Sequence, residues 1–142
     1  ITKIPNLSKV KILNDNFIKE TISQSLENLK LKKIYALLFR DPKNLVNNKL
    51  NLWQQAKEFK NIGIIKKIGV TIYNVSELDK CFDILKPDII QVPYNFFDRR
   101  LETSKYLRKL HSKKIEIHCR SVFLQGLLLK EKHELPSKFL KY

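Results

Sequence analysis

Short apolar runs of strand length alternate with amphipathic helical segments along the chain. This alternation constrains the fold more than any other feature. Residues 34–39 are a continuous apolar stretch, residues 67–72 are rich in β-branched side chains, and residues 88–92 and 115–119 are two further runs. Residues 1–4 read as a first, shorter strand. The starts are separated by about 20 to 35 residues, room for a strand, a helix and two loops. Between them, residues 15–29 place Phe17, Ile18, Ile22, Leu26 and Leu29 on one helical face, with Asn14 or Asp15 available as a cap. Residues 50–65 carry Leu52, Trp53, Ala56 and Phe59, with Gly63 as a helix stop. A third helix begins at a Ser76 cap and ends before Pro87, and residues 101–111 repeat an apolar face through Leu101, Tyr106, Leu107 and Leu110.

Strand and helix therefore alternate five times, ending on a helix after the fifth strand. That pattern predicts an α/β fold in which helices cover a parallel sheet through right-handed crossovers. No internal repeat or low-complexity linker interrupts it, so residues 1–142 are expected to form a single domain. A doubly wound sheet would carry a glycine fingerprint in its first turn, and the 3 glycines do not have that spacing. A barrel instead gathers polar residues at the C-terminal strand ends. Lys3, Arg40 with Asp41, Thr71 with Tyr73 and Asn74, Gln91 with Asn95, and Arg120 with Ser121 all fall there. Parallel strands alternating with helices as part of a (β/α)8 TIM barrel is the expected architecture.

Composition excludes more than it suggests. A hydrophobic share of 43 % is that of a globular chain, and no stretch is long and apolar enough to predict a membrane span. Residues 1–10 alternate apolar and polar side chains, unlike a signal peptide. The formal charge of +14 invites a nucleic-acid reading. Yet the lysines are scattered over helical stretches that also hold acids, with Lys130, Lys132, Lys138 and Lys141 the loosest run. No helix-turn-helix, zinc spacing or aromatic-basic sheet accompanies them, which leaves a basic nucleic-acid-binding protein as the weaker alternative. Cys81 and Cys119 lie in apolar runs without metal-ligand spacing, as in a reduced, cytoplasmic protein that binds no metal. His111, His118 and His133 show no partner for a hydrolase triad.

The strand ends resemble the aldo/keto reductase family. The resemblance is carried by Ile68-Gly-Val-Thr-Ile-Tyr73, by Ile89-Ile-Gln-Val-Pro-Tyr-Asn95 with Phe97-Asp-Arg-Arg100, and by Arg120-Ser-Val-Phe-Leu-Gln-Gly126, in order and in register. Tyr35-Ala-Leu-Leu-Phe-Arg-Asp-Pro42 is similar to the family's fourth strand and Ile1-Thr-Lys-Ile4 to its third. The flavour is that of a bacterial branch acting in or near sugar and surface-polysaccharide metabolism. The resemblance implies NADPH-dependent reduction of an aldehyde or ketone, with a dinucleotide and a small carbonyl substrate as partners. It covers strands three to seven of eight, so the family's catalytic tyrosine and aspartate would precede Ile1 and the eighth strand would follow Tyr142. The Met count of 0 agrees, and the sequence is expected to be an internal segment whose open edges and apolar barrel interior favour oligomerisation. A non-catalytic remnant or interaction module that kept the barrel's middle is the alternative function.

By the same resemblance, Lys3 falls where a lysine lowers the pKa of the catalytic tyrosine, since a nearby cation favours phenolate. An ordinary surface lysine is the competing reading. Arg40 stands in place of a histidine that hydrogen-bonds the substrate carbonyl. A guanidinium donates but never accepts, so it could polarise a carbonyl, hold an acidic group, or simply pair with Asp41. Gln91 matches a glutamine that binds the nicotinamide carboxamide, and a glutamine in an apolar strand needs polar partners. Thr71 matches a serine contacting the same carboxamide, while Ile72 replaces the family's asparagine; plain strand packing is the rival for Thr71. Arg120 replaces a tyrosine that stacks on the nicotinamide ring. Ser121, Phe123 and Gln125 fall in the loop that wraps the pyrophosphate, with loop packing as the rival for Phe123. Asn95, Asp98, Arg99 and Arg100 form a block whose Asp98 and Arg99 are expected to pair at the surface.

Overall fold

Apolar runs that end at helix stops leave their backbone groups only one outlet, a neighbouring strand. In the computed structural model, which describes residues 1–10, 14–40, 42, 45, 50–74 and 76–139, five runs pair in this way. Asp41 and Lys141, and the side chains of Cys81 and Lys138, lie outside the described residues. Strands β1 (Thr2–Ile4), β2 (Ile34–Phe39), β3 (Ile65–Thr71), β4 (Ile89–Pro93) and β5 (Glu116–Arg120) form one parallel sheet in the order β1-β2-β3-β4-β5. Each strand sits beside the one before it, and the order never reverses as it does in a doubly wound sheet. That is the winding of a barrel wall.

Helices α1 (Phe17–Leu29), α2 (Leu52–Asn61), α3 (Ser76–Leu85), α4 (Arg100–Thr103) and α5 (Tyr106–Ser112) supply the covering layer. Their Ile18, Ile22, Leu52, Ala56, Leu78, Phe82 and Leu110 share one core with Ile4, Leu37, Phe39, Val70, Ile90 and Val92 of the strands. Trp53 packs its ring 5.5 Å from that of Phe39 and donates its indole N–H to the Leu85 carbonyl oxygen at 2.8 Å. A second, small cluster of Ala36, Leu38 and Ile89 is fully buried. These alternate along their strands with the residues of the larger core and so belong to the inner face. The rest of that face carries Lys3, Lys67, Thr71, Gln91, Glu116, His118 and Arg120, read from the register. The expected exposed apolar interior is therefore absent among the described residues, because polar side chains line the wall and its few apolar ones bury one another.

Helix boundaries differ from expectation for local reasons. Gly63, at φ +76°, folds the Ile64 amide back onto the Phe59 carbonyl oxygen at 3.1 Å, so the helix stops early and Ile65 opens β3. At the start of α1 neither expected cap acts. Asn16 holds the capping position without a side-chain bond, and Asn14 Oδ1 accepts from the Asn16 amide at 2.9 Å. The helix predicted over 101–111 is broken into α4 and α5 at Lys105, whose φ is +63°. Thr103 and Ser104 hydroxyls donate to nearby carbonyl oxygens there, the competition with helix bonding that these residues bring. No α-helix follows β5 among the described residues. Three short 3-10 segments do (Leu124–Leu129, Lys132–Glu134 and Ser137–Phe139), with left-handed backbone at Ser121 before the first of them and at Leu124, Gln125 and Gly126 within it.

Folding also redistributes the charge that looked scattered. Lys33, Lys66, Lys67, Lys86, Lys113 and Lys114 all stand at the N-terminal ends of strands β2 to β5. Acids answer several of the cations at that end: Lys60 meets Asp88 at 2.6 Å, Lys113 meets Asp83 at 3.7 Å, and Lys67 pairs with Glu116.

Candidate active site

At the C-terminal end of the sheet, register brings together residues far apart in the chain. Thr71 on β3 lies opposite Gln91 on β4, and Gln91 lies opposite His118 on β5. Thr71 is only 4 % exposed. Thr71 Oγ1, Gln91 Oε1 and Arg120 Nε are buried and have no hydrogen-bond partner among the described residues. Leaving such an atom unpaired costs about 1–3 kcal/mol, so a ligand is the physical remedy. A carboxamide fits the first two, since its NH2 donates to the Gln91 oxygen and its carbonyl accepts from the Thr71 hydroxyl. The residues present thus suit the amide end of a nicotinamide.

Arg120 does not project freely. Its guanidinium carbon lies 4.3 Å from the centroid of the Tyr73 ring, and Nη2 donates to the Ile72 carbonyl oxygen at 3.4 Å. Burial holds the Lys3 ammonium below the usual lysine range, and the charges of Arg40 and Arg120 lower it further. Lys3 therefore feels both other strand-end cations. Arg40 is exposed and forms no ion pair with another described residue.

The residues after β5 are placed elsewhere. Ser121 takes φ +57° directly after Arg120. Phe123 lines a cleft of about 440 Å³ with Tyr94, Phe96 and Leu129, whereas Gln125 lines another of about 970 Å³ with Phe97, Leu127 and Phe139. Neither cleft includes Thr71, Gln91 or Arg120 among its lining residues. The Asn95 block is a brace. Asn95 Oδ1 accepts from the amides of Phe97 and Asp98, both at 2.9 Å. Asp98 pairs with Arg100 at 2.8 Å and Arg99 with Glu102 at 2.7 Å, in place of the expected Asp98–Arg99 pair. Arg99 precedes the first turn of α4 and reaches Glu102 three residues on, while Arg100, two residues beyond Asp98, takes that carboxylate. Arg100 also donates to the Tyr73 carbonyl oxygen at 3.3 Å, so the block steadies the residue under which Arg120 stacks.

A second polar cluster on the inner face was missed in the sequence. Glu116 receives a hydrogen bond from the Tyr35 hydroxyl at 2.7 Å, pairs with Lys67 and lies 2.6 Å from His118 Nε2. The Lys67 ammonium foremost, then the Tyr35 hydroxyl, holds the Glu116 carboxyl down at about 2. His118 thus has a carboxylate partner, contrary to expectation. The available signal was the i, i+2 spacing of Glu116 and His118, which puts both on one strand face. No group of three or more metal-ligating side chains occurs among the described residues.

A singly wound parallel wall, with helices behind it and polar groups at its strand ends, defines part of a (β/α)8 barrel. The chain belongs to the aldo/keto reductase family, whose model matches residues 2–141. It is similar in fold to a Bombyx mori aldo-keto reductase solved in complex with NADP, at 20 % identity and TM-score 0.61, over 84 % of this chain and 40 % of that one. A glycerol dehydrogenase from Gluconobacter oxydans is 18 % identical with TM-score 0.66, over 87 % of this chain and 36 % of its own. The chain thus spans less than half the length of these solved relatives. No curated protein matches the sequence.

Proposed function

We propose that this chain forms part of the site of an NADP(H)-dependent oxidoreductase that reduces a small aldehyde or ketone in the cytoplasm. The observation that carries the reading is the register pair Thr71 and Gln91, each with a buried polar atom that a nicotinamide carboxamide would satisfy. NADPH, when bound, supplies the hydride. Thr71 and Gln91 orient the carboxamide and with it the reactive face. Arg40 polarises the carbonyl oxygen as a permanent cation, in the place where the family sets a histidine. Lys3 favours the ionised form of a neighbouring proton donor; among the described residues no tyrosine hydrogen-bonds it. Ser121, Phe123 and Gln125 are assigned to the rest of the dinucleotide, and the basic balance suits its phosphates. A sugar carbonyl is the finer substrate assignment, from the bacterial branch that the motifs resemble.

Trp53 is buried behind the sheet, so melting temperature and the emission of NADPH itself are better reporters than tryptophan. NADPH is expected to raise the melting temperature. Gln91→Leu and Thr71→Val should each weaken its binding about 3- to 10-fold, the worth of one hydrogen bond. An unchanged melting temperature at millimolar NADPH would sink the proposal. The replacement of histidine by Arg40 favours a second reading, a non-catalytic relative; there NADPH binds and no carbonyl compound is turned over.

A further inference from the structure

Three buried polar atoms without a partner among the described residues gather at one corner of the sheet: Thr71 Oγ1, Gln91 Oε1 and Arg120 Nε. Thr71 and Gln91 are register neighbours. Arg120, from β5, reaches across β4 to the end of β3, where its Nη2 donates to the Ile72 carbonyl oxygen at 3.4 Å. Ile72 directly follows Thr71, and its amide donates to the Gln91 carbonyl oxygen at 2.9 Å. The guanidinium charge is therefore fixed one residue from the candidate carboxamide site. The Tyr73 ring, 4.3 Å from the guanidinium carbon, holds it there, and the Tyr73 carbonyl oxygen is itself tied to Arg100 at 3.3 Å. A carbonyl oxygen and a ring face hold the guanidinium without cancelling its charge, which arginine keeps at any working pH. Other cations take up the acids nearby: Lys67 meets Glu116, which also lies 2.6 Å from His118 Nε2, and Arg100 meets Asp98.

A nicotinamide ring held by Thr71 and Gln91 is neutral when reduced and a pyridinium cation when oxidised. Its two forms therefore meet the fixed charge differently. Like charges even ~10 Å apart cost about tenfold in affinity at the effective dielectric of a protein site. We infer that Arg120 is a specificity-determining residue that makes this site select the reduced cofactor, NADPH over NADP+, by repelling the positive ring. The inference deepens the carbonyl-reductase reading and rests on it. Its consequence is weak inhibition by spent cofactor, because the form that carbonyl reduction produces is the form the site disfavours.

The test titrates the whole chain with NADPH and with NADP+ by calorimetry, in about 0.3 M salt so that distant surface charge is screened. NADPH is expected to bind at least about tenfold tighter. Arg120→Gln keeps a hydrogen-bond donor while removing the charge, and should bring the two affinities within about threefold of each other. Arg120→Lys restores a charge and should recover most of the preference. Lys114→Gln removes the same charge from the opposite end of the sheet and should leave the ratio unchanged. Tyr73 is exposed, so Tyr73→Leu stays informative if Arg120→Gln fails to fold. Without that ring the guanidinium is free to turn towards solvent, and the ratio should fall at least about threefold. Equal affinities in the parent chain, or tighter NADP+, overturn the inference. So does a ratio that survives Arg120→Gln, or Tyr73→Leu where the first variant does not fold. Each of these leaves the cofactor reading standing, because NADPH still binds. Binding of neither form overturns that reading, and this inference with it.

Discussion

Gly69 and Ile89 face each other across β3 and β4 so closely that any side chain on Gly69 would overlap the Ile89 carbonyl oxygen, with Ile89 Cγ2 only 2.7 Å away. The obstruction is backbone, which cannot swing aside as a flexible side chain would. Two residues further along the same strands, Thr71 meets Gln91. A residue without Cβ therefore sets the approach that aligns the candidate carboxamide site. Gly69→Ala is expected to cost about 3 kcal/mol, the upper part of the usual overpacking range. Urea denaturation checks this: a midpoint equal to that of the parent chain would contradict it.

Glu116 should make stability depend on acid pH. Its carboxyl is held at about 2 against an ordinary 4.5, first by Lys67 and then by Tyr35. A group depressed in the folded state contributes fully above its unfolded value, and the contribution is lost as pH falls toward the folded one. The contribution of Glu116 is thus complete above about pH 5 and declines between about pH 4.5 and 2. Melting temperatures of the parent and Glu116→Gln should differ at pH 6 and converge as pH falls toward 3. A gap that stays constant across this range would show that the ion cluster is not its source.

The loops beyond β4 and β5 expose large apolar side chains, with Phe96 80 %, Phe97 73 % and Leu129 70 % accessible. On a lone chain such a surface drives association. Among the described residues β5 pairs only with β4, which leaves a strand edge beside that surface. Sedimentation velocity is expected to show mass rising with concentration, and Phe97→Ser with Leu129→Ser should shift the chain toward monomer. Concentration-independent monomer in the parent would refute the expectation.

Much of the fold was legible because its signals are local. The run from Ile34 to Phe39 is a strand as read, and the winding follows from regular alternation and the absence of a glycine fingerprint. Where reading and structure part, a single residue's backbone is responsible: Gly63 ends α2 before Ile65, and Lys105 divides what looked like one helix. The site was legible in part. Thr71, Gln91 and Arg120 were readable as polar exceptions at strand ends. Glu116 was not, because its partners Tyr35 and Lys67 lie 81 and 49 residues away in sequence.

The amino-acid sequence by itself determined the five strands, the presence of helices between them, and the family. All of these depend on side-chain periodicity and short motifs within a few neighbouring residues. Tertiary structure alone decided which polar residues share a row of the sheet and which cations are neutralised. Register and charge pairing arise only when distant strands are brought side by side. That step pairs Lys60, Lys67 and Lys113 with acids at one end of the wall and places Lys3, Arg40 and Arg120 at the strand ends of the other.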